Sequence, residues 1–471
     1  MGLADIADKL TRGAGLLGEG LTGGFFEPVI RLGVTGLSHA GKTVFITSLV
    51  ANLLDRGRMP GLRAASDGRI RAVYLQPQPD DTVPRFDYEA HLAALTGPVP
   101  HWPDSTRAVS ELRLSFRLQP RGLLGGFRGP QTLHLDIVDY PGEWLLDLSL
   151  LDQSYADWCA DVLTRIARRT EATAFLSDLA AADPDHPLDE VQSKTLAHSF
   201  THYLTAARTA GYSDCTPGRF LLPGDLAGSP ALTFAPLRLT APSRRGSLAR
   251  EFGRRFEAYK ALVVKPFFRD HFARIDRQIV LVDALGAIHA GPGAVEDMRQ
   301  AMAGILAAFR PGRNRWLSGL LGNRRVGRIL FAATKADHLH HTQHMRLTAI
   351  MVALMREAKD RADFAGAHTA AMSIASLRAT VEETIRHDGG TLDCVRGRLV
   401  GSGREAAFHA GDLPDNPAFL LSPARAGAEK WLDADFGTMR FAPVTDGLRA
   451  GDGLPHIRLD RAVEFLIGDR L

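Results

Sequence analysis

Gly36-Leu37-Ser38-His39-Ala40-Gly41-Lys42-Thr43 spells G-x-x-x-x-G-K-T. Loops of that spacing hold phosphate groups when a strand precedes them and a helix follows. Both flanks fit. Residues 29–35 form a β-branched, apolar run that predicts a strand, and over residues 44–54 apolar side chains recur at helical spacing. The chemistry follows from the backbone. Glycines let the chain curl around an anion with no Cβ in the way. The N–H groups from Ser38 through His39, Ala40 and Gly41 to Val44 are expected to form a nest for phosphate oxygens, backed by the positive end of the helix dipole. Lys42 would reach the β- and γ-phosphates, and the Thr43 hydroxyl would ligate Mg²⁺. The alternative is an ordinary glycine-rich turn.

A second motif lies downstream. Residues 110–118 alternate polar and apolar, and residues 132–138 read as the next strand, so the two predict a hairpin at a sheet edge. The second strand runs into Asp139-Tyr140-Pro141-Gly142, a D-x-x-G arrangement. There Asp139 stands beside Mg²⁺ and the Gly142 N–H reaches a γ-phosphate. Asp and Gly are also common turn residues, so the pattern gains its meaning from the loop before it.

Further strands are predicted at 277–283, 328–333 and 370–375, with helices near 294–309 and 344–358 between them. That alternation implies an α/β fold with a doubly wound, mostly parallel sheet, in which ligands bind at the carboxyl ends of the strands. Thr334-Lys335-Ala336-Asp337 falls at such an end. It is similar to the N-K-x-D element of guanine-nucleotide binders, with Thr334 in place of Asn. A carboxylate at Asp337 would accept from the N1–H and amino groups of guanine, and adenine offers no such pair. The Lys335 stem would lie over the base. Alternatively, Asp337 caps a helix. The Ala375-Ser376-Leu377 corner is a candidate second base contact.

Between these parts, residues 145–274 read as a mainly helical insertion, with Pro266 expected to interrupt its last helix. Residues 58–97 are rich in Pro, Gly, Asp and Arg and read as irregular, apart from a short helix at 88–95. The chain thus divides into an N-terminal helical segment (1–26), a first core part (27–144), the insertion (145–274), a second core part (275–390), an irregular or β extension (391–454) and a C-terminal helix packed on the core (455–471).

Composition limits the classes of function. The 471 residues are 45% hydrophobic and 23% charged, with a formal net charge of +3. No dense Lys/Arg stripe with interleaved aromatics appears, which argues against nucleic acid as a partner. Three scattered cysteines, Cys159, Cys215 and Cys394, have no metal spacing and suit a reducing cytoplasm. No apolar run is long enough for a transmembrane helix. Residues 3–21 would form at most a weakly amphipathic helix, packed on the body or lying on a membrane surface.

Taken together, Gly36 to Thr43, Asp139-Tyr140-Pro141-Gly142-Glu143-Trp144 and Thr334 to Asp337 resemble the bacterial YcjX-like family of P-loop GTPases. The ending Pro455-His456-Ile457-Arg458-Leu459-Asp460, with Phe465-Leu466, resembles it too, so the likeness runs over nearly the whole chain. It implies a Ras-like core that binds GTP or GDP with Mg²⁺, and a large helical insertion. It also implies a cytoplasmic stress-response role beside an inner-membrane partner.

On that reading Thr106, or Ser105, in the loop before the edge strand closes on Mg²⁺ and the γ-phosphate. Glu143 stands where a water-orienting residue is expected. A carboxylate facing a γ-phosphate is repelled, so Glu143 either acts as a base or points outward. Hydrolysis would be slow and raised by a partner. Two other readings stay open: a module that senses nucleotide without turnover, and an ATPase or kinase-like enzyme.

Overall fold

The computed structural model describes residues 27–471 apart from 38–39, 105–107, 121–129, 240–242, 309–325, 357–366, 430, 432–435, 445–447 and 450. The expected N-terminal helix therefore lies outside the described residues. Seven strands form the main sheet: β1 (Val29–Gly36), β2 (Ile70–Gln76), β3 (Ser110–Leu118), β4 (Gln131–Asp139), β5 (Arg277–Val282), β6 (Arg328–Ala333) and β7 (His368–Ser373). Their order is β2-β3-β4-β1-β5-β6-β7. β4, β1, β5, β6 and β7 run parallel, while β2 and β3 pair antiparallel.

One expectation needs correction here. The β3–β4 hairpin is not the sheet edge, because β2 forms within the stretch read as irregular and pairs along β3. Its side chains are mostly half-buried and its register shifts between Ile70 and Ala72. A short, bulged edge strand has little alternation to announce it; pairing with β3 creates it.

The sheet is covered on both faces, as a doubly wound sheet requires. One face sets Leu32, Val34, Leu114, Ile137 and Leu281 against Phe45, Ile46 and Leu49 of the helix Lys42–Leu54. The C-terminal helix Leu459–Ile467 packs there too, through Leu459, Val463 and Leu466. The other face sets Val138, Val280 and Phe331 against the helices Pro292–Ala308 and His344–Leu354 and against the insertion.

The insertion has an aromatic centre. Trp158, on the helix Tyr155–Ile166, stacks on Phe256 with ring centroids 5.2 Å apart and meets Phe200 and Phe234 edge-on. The break expected at Pro266 takes a milder form. The helix Leu248–Tyr259 passes through a π turn, Lys260–Val264, into the helix Lys265–Asp270, which has Pro266 in its first turn. The wider turn resets the hydrogen-bond ladder where proline cannot donate.

A second, antiparallel sheet follows: β8 (Thr380–His387), β9 (Gly390–Arg398) and β10 (Glu405–Phe408), in the order β10-β9-β8. The boundary drawn at 390 falls in the β8–β9 turn. No helix among the described residues is long and apolar enough to cross a membrane.

Candidate functional site

β1 ends at Gly36, and the chain turns over Leu37, whose N–H donates to the Leu281 carbonyl across the ladder at 3.1 Å. Ala40 closes the turn onto Leu37, and Gly41 then starts the helix with φ +73°. That left-handed conformation suits glycine, and no side chain caps the helix, so its first N–H groups keep their capacity for an anion. Ser38 and His39 lie outside the described residues. Lys42 Nζ sits 2.6 Å from Asp139 Oδ1, and both side chains are largely buried. Thr43 Oγ1 faces the Asp104 carbonyl at 3.4 Å. The loop before β3 therefore arrives at the head of the helix, although Ser105 and Thr106 themselves are outside the described residues.

Asp139 and Gly142 come to the same place by register. Val34 of β1 pairs with Asp139 of β4, so the end of β4 lies beside the start of the loop. A Cβ on Gly142 would meet the Gly36 carbonyl oxygen at 2.1 Å, so the two motifs touch through bare backbone. Asp139 Oδ2 is buried and has no hydrogen-bond partner among the described residues. A buried carboxylate oxygen with nothing to accept is costly unless a cation or its water meets it. The residues thus fit a Mg²⁺ ion held from Thr43 and Asp139.

Glu143 and Trp144 turn toward the insertion. Glu143 Oε1 lies 3.9 Å from Arg208 Nη1, and the Arg219 guanidinium sits 3.4 Å above the Trp144 ring. Next comes Asp147, fully enclosed, which accepts from the Tyr259 hydroxyl and, at 2.8 Å, from the Gly218 N–H. Burial pushes its carboxyl up to about 7, against the pull of these two donors and of Arg219. The sequence reading missed this triad. Its one signal was an Asp inside an otherwise apolar run, Trp144-Leu145-Leu146-Asp147-Leu148.

The base-motif residues occupy the same rim. Gly36, Leu281 and Ala332 stand in one row across β1, β5 and β6, two ladder steps or about 10 Å. Past that row, Thr334 bonds back to the Val282 carbonyl through both its N–H and its hydroxyl. Lys335 adopts φ +60°, and its ammonium pairs with Asp283, the residue just after β5. Asp283 also caps the helix Ala284–Ala290 and was not singled out from sequence. Asp337 is buried, with Oδ2 accepting from the Ala379 N–H at 2.8 Å. Its backbone carbonyl accepts from the Thr380 hydroxyl. Asp337 lies within a single short turn, Ala336–His338, and caps no helix there. At the corner after β7, the Ala375 N–H already donates to the Ile457 carbonyl at 3.1 Å. That amide is spoken for by the C-terminal tail, whereas the Ser376 N–H has no acceptor among the described residues.

Comparison with known proteins gives the family. The model of the YcjX-like family matches residues 30–471. A protein of Escherichia coli (strain K12) named Ras-like GTPase YcjX is 38% identical over 457 residues, covering 94% of this chain and 96% of that protein. One of the same name from Shewanella oneidensis (strain ATCC 700550) is 36% identical over 468 residues, covering 94% of each.

Proposed function

The chain belongs to the YcjX-like family, and from that premise we propose that it is a guanine-nucleotide-binding P-loop protein that hydrolyses GTP slowly with Mg²⁺. We place it as a regulatory switch in a bacterial stress or envelope response, cytoplasmic and at times peripheral at the inner membrane beside a membrane protein. One observation carries the nucleotide reading: the phosphate loop, Asp139-Gly142 and Lys335-Asp337 share one rim of one sheet, with Gly142 seated on Gly36.

In this reading the amides at the head of the helix Lys42–Leu54 hold the phosphates. Lys42 exchanges part of its pairing with Asp139 for phosphate oxygens. Thr43 and Asp139 hold Mg²⁺, which when bound offsets charge on the β- and γ-phosphates. Asp337 keeps Oδ1 for the base while Ala379 anchors Oδ2. Thr106 closes from the loop that Asp104 brings to Thr43.

Two assays test this together. Single-turnover phosphate release from GTP should fall at least 100-fold in Lys42→Ala, and unchanged turnover would remove the enzyme. Competition of ATP against GTP should favour GTP in the native chain and lose that preference in Asp337→Ala.

A second reading has its own support. Glu143 is turned toward Arg208 of the insertion, with Oε1 3.9 Å from Nη1, so its carboxylate faces a cation there. A module that senses nucleotide without turnover would look like this. It would bind GDP and a GTP analogue equally, with protease protection of residues 67–103 indifferent to the γ-phosphate.

A further inference from the structure

After Asp337 the base-recognition loop runs on into a histidine-rich stretch, His338-Leu339-His340-His341-Thr342-Gln343-His344, that the proposed nucleotide site does not use. We propose that His340 and His341, with Glu382 of β8, form a site for a divalent transition-metal ion of the zinc class. The ion would fasten the loop that carries Asp337 to the small antiparallel sheet.

The geometry carries this. His340 Nε2 lies 3.9 Å from Glu382 Oε2, and His341 Nδ1 lies 2.7 Å from the same oxygen. All three potential ligand atoms fall within 4.8 Å of one another. Tetrahedral ligands at about 2.1 Å from zinc stand about 3.4 Å apart, so Glu382 would close on His340 by about 0.5 Å and the His341 ring would make an outward shift of about 0.7 Å. That ring is 64% exposed and free to make it, and its open side leaves a place for water.

The surroundings orient the ligands. His340 is nearly enclosed, and its other nitrogen, Nδ1, faces Thr342 Oγ1 at 3.0 Å and Asp393 Oδ2 at 3.4 Å. A carboxylate behind a histidine is the arrangement that fixes the ring and leaves the far nitrogen for a metal. Arg378 Nη2 approaches Glu382 Oε1 at 3.6 Å, so it occupies the carboxylate oxygen turned away from the histidines. Imidazole with one carboxylate suits zinc-like ions rather than Mg²⁺, whose preferred donors are oxygens.

The placement matters for the loop. The Ala379 N–H and Thr380 hydroxyl already hold Asp337 from the start of β8. A metal at His340 and Glu382 would add a second tie to the same strand, three residues further along the loop. The site stands on its own residues, whatever base Asp337 reads.

The test uses the full chain without a histidine tag, stripped with chelator and titrated with Zn²⁺ against a chromophoric competitor. We expect one site per chain, weakened at least tenfold in His341→Ala and in Glu382→Gln. His387→Ala, a surface histidine at the far end of β8, should leave it unchanged. Zn²⁺ should also slow hydrogen exchange over residues 336–343 in the native chain but not in Glu382→Gln. Equal Zn²⁺ affinity in the native chain and both variants, or no competition by the native chain, overturns the proposal. In that case the two imidazoles merely hydrogen-bond to Glu382. Should Glu382→Gln melt earlier than the native chain in chelator, His341→Ala, altered at an exposed ring, decides alone.

Discussion

Gly142 shows how much one missing atom can decide. Its Cβ would fall 2.1 Å from the Gly36 carbonyl oxygen, and both partners are backbone at the ends of paired strands, so neither yields cheaply. Gly142→Ala should cost about 1–3 kcal/mol, read as a lower denaturant midpoint, and should blunt any preference for GTP over GDP. Asp147 is the other decisive residue. The fold holds its carboxyl at about 7, whereas the unfolded chain releases that proton near the ordinary aspartate value of 3.8. The native state therefore binds more protons between these two values. The contribution is complete below about pH 4 and lost once pH passes about 7, at up to roughly 1.4 kcal/mol per pH unit between them. Urea midpoints of the native chain should fall over that window, and Asp147→Asn should flatten the slope.

The element that joins core and insertion is the helix Gly142–Leu146 with the turn Asp147–Asp152 after it. Glu143, Trp144 and Asp147 all hold residues of the insertion: Arg208, Arg219, Gly218 and Tyr259. Under the proposed function, a movement of Gly142 toward a γ-phosphate would therefore pull on the insertion directly. Arg219→Ala should leave GDP affinity within about twofold while loosening Trp144, seen as a red-shifted, more quenchable tryptophan emission. An unchanged spectrum would show that the stack contributes nothing. Element boundaries were legible where periodicity was strong. The strand at 110–118 was read from alternation and formed with those bounds, and the C-terminal helix read within 455–471 spans Leu459–Ile467. β2 was hidden because an edge strand with a bulge is defined by its neighbour rather than by its own pattern.

At the scale of the molecule, the C-terminal tail is what closes the sheet. Leu459, Val463, Leu466 and Ile467 are buried against it, while Arg277 donates to the Leu466 carbonyl and pairs with Asp469. Removing residues 459–471 would forfeit the burial of these four large apolar side chains, worth about 8 kcal/mol, comparable with the whole stability of a domain. Circular dichroism of the truncated chain should show no cooperative melt. The same tail, through Ile457, claims the Ala375 amide that a base contact would have used.

What the amino-acid order determined alone was local chemistry. A glycine spacing with a strand before and a helix after has few other uses, and Asp139, Gly142, Lys335 and Asp337 each fall at a strand end that sequence periodicity marks. What only the tertiary structure decided was adjacency across long separations: Gly142 against Gly36, Asp147 beneath Tyr259, Ile457 on Ala375, and His340 facing Glu382. Those contacts depend on strand order and on how the insertion folds back, which no local pattern encodes, because burial and pairing are set by partners more than forty residues away in every case and more than a hundred away in two of the four.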